Sequence, residues 1–133
     1  MANNQKDTTT RQTGLAEEFA AVAERLCRST VQVLTGTGVG SGVIWHPDGL
    51  IITNAHVASG SRTTVKLLDG RVFEAAVTAR DLERDLAALK VEAVDLPAAN
   101  VGDSDALRVG QLVLAIGNPL GLVGALTTGY YIT

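Results

Sequence analysis

The sequence predicts an all-β chain, an antiparallel β-barrel preceded by a short N-terminal helix. Three observations predict it. Between Thr30 and Val91, six short runs rich in β-branched and apolar residues follow one another with turns between them and no helical crossover, the pattern of a closed antiparallel barrel. Glycine is frequent, at 14 of 133 residues, while aromatic residues make up only 4%, which suits short strands joined by tight turns. Before Ser29 the apolar residues recur with a helical period; after it the period is that of strands.

Residues 1–13 are rich in Asn, Gln, Thr and charge and read as a disordered tail. From Gly14 to Arg28, Leu15, Phe19, Val22 and Leu26 line one face of a helix. Glu17 and Glu18 near its start and Arg25 and Arg28 near its end complement the helix dipole. The narrow apolar stripe favours packing on the body of the same domain over docking to another subunit. Strands are expected at Thr30–Thr35, Val39–Trp45, Leu50–Thr53, Thr63–Leu68, Arg71–Thr78 and Leu86–Val91. His46-Pro47-Asp48-Gly49 forms one hairpin turn, with proline fixing φ early and glycine supplying a positive φ. Asp69-Gly70 is the strongest short hairpin signal. The helix and this barrel make up a domain over 14–100. After the polar stretch Glu92–Arg108, two more strands are expected in 101–133, Gln111–Ile116 and Ala125–Ile132, separated by Gly117-Asn118-Pro119-Leu120-Gly121. Two strands cannot close a second barrel, so one face of the apolar run Leu112–Ile116 is expected to have little cover.

Composition narrows the function classes. A hydrophobic share of 46% against 19% charged indicates a folded globular chain. A net charge of −3 without blocks of like charge favours neither nucleic acid nor an anionic membrane as partner. Cys27 is the only cysteine, which excludes an intrachain disulfide, and it reads as a half-buried apolar residue. No apolar run approaches the roughly 20 residues that span a bilayer. Met1–Thr13 lacks the apolar core of a signal peptide, so cytoplasmic residence is expected, or periplasmic or secreted residence if a leader is missing.

Chemistry concentrates in two segments. His56 follows a strand in Asn54-Ala55-His56-Val57, where backbone can aim a side chain into a cleft, and Asp85 begins a later strand that a small barrel can bring alongside. A hydrolytic serine needs a neutral base, and that base needs an anionic partner to fix its tautomer and stabilise its charged form. Asp81 is the rival to Asp85 and more readily closes the turn before it. Gly36–Gly42 is glycine-rich, but it lacks a phosphate-loop spacing and precedes a strand. His46 reads as a turn residue with no third partner for a metal shared with His56. Asp103-Ser104-Asp105 reads as a solvated loop and not a calcium site. No cofactor or metal is expected.

Three stretches together carry a resemblance: Gly40-Ser41-Gly42-Val43-Ile44 with Leu50-Ile51-Ile52-Thr53-Asn54-Ala55-His56-Val57; Arg80-Asp81-Leu82-Glu83-Arg84-Asp85-Leu86-Ala87-Ala88-Leu89-Lys90-Val91; and Val101-Gly102-Asp103-Ser104 with Val109-Gly110-Gln111 and Ala115–Leu122. In this order and spacing they resemble the N-terminal portion of the protease domain of the HtrA (DegP-like) family of trypsin-like serine proteases, over about residues 15 to 129. The resemblance implies a double β-barrel fold, here with the first barrel complete and the second truncated after about two strands. It implies His56 as general base and Asp85, in its Asp-Leu-Ala-x-Leu-Lys setting, as the orienting carboxylate. It also implies unfolded or misfolded protein as substrate and homo-oligomers of the full-length form.

The chain departs from that family in one respect that matters. The family's nucleophile sits in a Gly-Asn-Ser-Gly-Gly-Pro-like loop that also forms the oxyanion hole, and none of Ser29, Ser41, Ser59, Ser61 or Ser104 has that context. Ser41, between two glycines, is the tempting substitute, but the resemblance places it in an early core strand. Gly129-Tyr130-Tyr131-Ile132-Thr133 also departs from the usual Gly-Ile-Val/Ile-Ser pattern. The expectation is therefore a serine endopeptidase domain that supplies His and Asp but no nucleophile, inactive as these 133 residues alone. The alternative is a non-catalytic pseudoprotease that binds peptides or subunits, and a decayed product is a third reading.

Overall fold

The computed structural model describes residues 3–117 and 125–132. Helix α1 (Asn3–Ser29) leads into six strands, β1 (Thr30–Leu34), β2 (Val39–His46), β3 (Leu50–Thr53), β4 (Arg62–Lys66), β5 (Val72–Asp81) and β6 (Leu86–Lys90). A short 3₁₀ turn (Ser104–Ala106) and two further strands, β7 (Leu112–Gly117) and β8 (Ala125–Tyr130), complete the described chain. The fold is mostly β with one preceding helix, as the apolar periods predict. Residues 118–121 of the turn expected before β8 lie outside the described residues.

Helix α1 begins well before Gly14, taking in most of the segment that reads as a tail. That segment has no apolar stripe, but it also contains no proline, so nothing in it stops a helix nucleated by the packed turns that follow. At the other end the chain turns sharply into β1. The hydroxyls of Ser29 and Thr30 donate to the carbonyls of Arg25 (3.4 Å) and Leu26 (2.7 Å), and the second of these satisfies an acceptor that the ending helix would leave open. The helix rests against β1, β2 and β7. Among the described residues no helix is long and apolar enough to cross a membrane.

The six strands close in the order β1-β2-β3-β6-β5-β4, every neighbour antiparallel. Alternation along each strand sends Val31, Val33, Ile44, Ile51, Val65, Ala75, Ala87 and Leu89 inward, all at most 2% exposed. Val91 and Leu96 plug one end of this core, and Ala58 joins it from the segment after β3. Gly49 closes the β2–β3 hairpin with φ 109°, and a Cβ there would collide with the Val91 carbonyl oxygen. The β4–β5 hairpin turns at Gly70, whose N–H donates to the Leu67 carbonyl at 3.0 Å. Strands β7 and β8 form a separate two-stranded sheet, paired from Leu112↔Tyr130 to Gly117↔Ala125. Leu112 and Leu126 are about two-fifths exposed on it (41% and 40%), in keeping with the sparse cover expected for that apolar run.

Candidate active site

The barrel order decides where the chemistry falls. β3 and β6 are neighbours although far apart in sequence, and their pairing ends at Thr53↔Ala87. Beyond that pair β3 continues into Asn54-Ala55-His56, while β6 is entered from Asp85 and Leu86, so both segments emerge at one rim. The turn carrying His56 is built by the Asn54 carbonyl, which accepts from the N–H groups of Val57 (3.1 Å) and Ala58 (3.2 Å). Ala55 and Ala58, 3% and 1% exposed, pin it to the core.

At this rim His56 Nδ1 lies 2.5 Å from Asp85 Oδ2, and the His56 backbone N–H donates to Asp85 Oδ1 at 2.9 Å. That backbone N–H is the strongest influence on Asp85 and the imidazole the next; both hold its carboxyl below the usual carboxylate range, while partial loss of water acts in the opposite direction. The ionised carboxylate can only accept, so Nδ1 must carry the proton. The neutral imidazole therefore keeps its lone pair on Nε2, and with the side chain 72% exposed that nitrogen is accessible to an approaching hydroxyl.

Asp85 holds an unusual backbone conformation, φ 54°, which costs a non-glycine residue about 1 kcal/mol. Two contacts around it were not legible in the sequence. The Asn54 side chain donates from Nδ2 to the Asp85 carbonyl at 3.0 Å. Arg80 steadies the far side of the His56 loop, donating to the carbonyls of Ala58 (3.1 Å from Nε, 2.5 Å from Nη2) and Gly60 (2.6 Å).

The other candidates separate from this pair. Asp81 accepts from the Arg84 N–H (3.0 Å) and guanidinium (2.9 Å), closing the turn before Asp85. His46 faces Asp48 at 2.7 Å in the β2–β3 turn, at the opposite end of β3 from His56. Asp103 caps the 3₁₀ turn by accepting from the Asp105 N–H at 3.0 Å. Ser41 pairs with Gln32 within β2, its carbonyl accepting the Thr53 hydroxyl at 2.7 Å. It also lines a cleft of ≈ 250 Å³ with Thr53, Asn54, Leu86 and Ile116, which joins the barrel rim to β7.

A closed six-stranded antiparallel barrel with a His–Asp pair at one rim is the architecture of a trypsin-like domain. Residues 40–132 match the family described as "Trypsin-like peptidase domain", and the chain belongs to that family. It is 48% identical over 93 residues to HhoB of Synechocystis sp., covering 69% of this chain and 22% of that protein. It is likewise 48% identical over 92 residues to a "Probable periplasmic serine endoprotease DegP-like" of Halomonas elongata, covering 68% and 19%. A protein of the same name from Hahella chejuensis is 47% identical over 91 residues, covering 68% and 19%. The chain thus spans about a fifth of the length of the curated relatives it matches.

Proposed function

We propose that this chain supplies the proton-transfer half of a serine-type endopeptidase site, with His56 as general base and Asp85 as its orienting carboxylate. The observation that carries the reading is the 2.5 Å contact between His56 Nδ1 and Asp85 Oδ2, which leaves the lone pair on an accessible Nε2. In the reaction, a serine Oγ attacks the peptide carbonyl while Nε2 takes its proton; the same proton then passes to the departing amine, and Asp85 stabilises the imidazolium between the two events. The five serines of this chain lack a Gly-x-Ser-Gly-Gly setting, so the nucleophile and oxyanion hole come from residues outside these 133. Unfolded or misfolded protein is the proposed substrate of the complete enzyme. A periplasmic location follows the names of the DegP-like relatives, and a homo-oligomeric full-length form is proposed on the family resemblance alone.

The test is casein hydrolysis by the longest product of the gene that encodes this chain. His56→Ala is expected to lower kcat by at least about a thousandfold and Asp85→Asn by about ten-thousandfold. The 133-residue chain alone is expected to hydrolyse nothing above background. Hydrolysis by the longer product that survives His56→Ala would refute the base assignment. Turnover by the short chain that His56→Ala abolishes would place a nucleophile within it.

A further inference from the structure

The pairing of His56 with Asp85 depends on a backbone conformation that aspartate does not adopt by default. Asp85 has φ 54°, and the chain on its N-terminal side is occupied elsewhere, with Arg84 tied by backbone and side chain to Asp81. Asn54, 31 positions away, reaches across the rim and donates from Nδ2 to the Asp85 carbonyl at 3.0 Å. A carbonyl oxygen only accepts, so the amide nitrogen must face it. The same residue builds the His56 turn through its own carbonyl, which accepts from Val57 and Ala58. Asn54 therefore holds the segment bearing the imidazole with its main chain and the residue bearing the carboxylate with its side chain. Arg80 grips the loop further on, at Ala58 and Gly60, and Thr53 spends its hydroxyl on Ser41.

We propose that Asn54 is a positioning residue for the His56–Asp85 pair, its side-chain amide holding the Asp85 backbone in the left-handed conformation that directs the carboxylate at the imidazole and its N–H. The proposal rests on the reading of these two residues as base and orienting carboxylate. Residue type matters here: an alanine supplies no donor, and an aspartate would set an acceptor against an acceptor.

The test reads the pair directly, without turnover, by NMR of the 133-residue chain. In the parent, the His56 Nδ1 proton is expected as a slowly exchanging signal far downfield, and Asp85→Asn is expected to remove it. Asn54→Ala is expected to leave the barrel amide signals of Ile51 and Leu89 in place. It should speed exchange of the Nδ1 proton by about tenfold and move the Asp85 carboxyl titration up towards its ordinary value. An Nδ1 signal and an Asp85 titration both unchanged in a folded Asn54→Ala chain would overturn the positioning role and leave the pair itself intact. A signal that Asp85→Asn does not alter would overturn the pairing and the positioning role together, whereas the assignment of peptide hydrolysis stands or falls on the casein assay. If Asn54→Ala does not fold, Asn54→Leu, which keeps the bulk and supplies no donor, is judged by the same two criteria.

Discussion

Replacing Gly40 by alanine probes how the barrel wall supports the His56 turn. Gly40 lies opposite Val33 in the β1–β2 ladder, and the Val57 side chain rests directly on it. A Cβ at this position would fall 3.2 Å from Val57 Cβ, 2.8 Å from Cγ2 and nearer still to Cγ1. Rotation of Val57 gives little relief, because both methyl positions are close and a β-branched side chain has one strongly preferred rotamer. Overpacking of this kind costs about 1–3 kcal/mol. The smaller backbone entropy of alanine in the unfolded chain returns about 0.4–1 kcal/mol. A net destabilisation of about 1–2 kcal/mol is therefore expected, measured by urea unfolding of the parent, Gly40→Ala, Val57→Ala and the double variant. Because Val57→Ala removes both colliding methyl groups, the double variant should be more stable than the sum of the single effects by about 1 kcal/mol. Simple additivity, or a Gly40→Ala chain as stable as the parent, would refute the close packing of this wall on the His56 turn.

Two further outcomes follow from the same structure. The carboxyls of Asp48, Asp69, Asp81 and Asp85 are all held below their ordinary value, by the His46 side chain, the Arg71 backbone N–H, the Arg84 backbone N–H and the His56 backbone N–H respectively. Groups whose folded values are depressed stabilise the fold above their unfolded value and lose that contribution as the pH falls through the folded one. Tm should therefore be level from neutral pH down to about pH 5 and fall below about pH 4, and Asp85→Asn should flatten that fall; a Tm unchanged to about pH 2.5 would contradict it. Arg80→Ala removes three donated hydrogen bonds from the Ala58–Gly60 stretch and is expected to cost about 1–2 kcal/mol. Limited proteolysis should then open the chain near Ser59 and Ser61 sooner than in the parent, and an unaltered cleavage pattern would show that the guanidinium is dispensable there.

The strands, the two hairpins and the His56–Asp85 pair were legible in the sequence because each leaves a local mark. Alternation marks Val31/Val33 and Ala87/Leu89, turn residues mark Gly49 and Gly70, and distinctive neighbours mark the contacting residues His56 and Asp85. Asp81 was separable from Asp85 for the same reason, and the structure gives it the turn-closing contact expected of it. The start of α1 was not legible, since the apolar stripe that signals a helix ends at Leu15 while the backbone runs on to Asn3. Asn54 and Arg80 escaped notice for a different reason. Both donate to main-chain carbonyls, and every residue has one of those, so the sequence carries no pattern that names the acceptor. The left-handed backbone at Asp85 was hidden as well, because aspartate, unlike glycine, does not advertise it.

The adjacency of β3 and β6 also governs when the site comes into being. Hairpins β2–β3 and β4–β5 join neighbours in the chain and can form early, whereas the β3–β6 seam and the β1–β4 seam join strands separated by much of the barrel. Such long loops are closed late, after local contacts have offset part of the lost chain entropy. His56 and Asp85 stand at the mouth of one of these seams, so a nascent or partly opened barrel presents a histidine without its carboxylate. On the role proposed for this pair, proton-transfer competence is then acquired late in folding, and a chain still searching for its strand order lacks it.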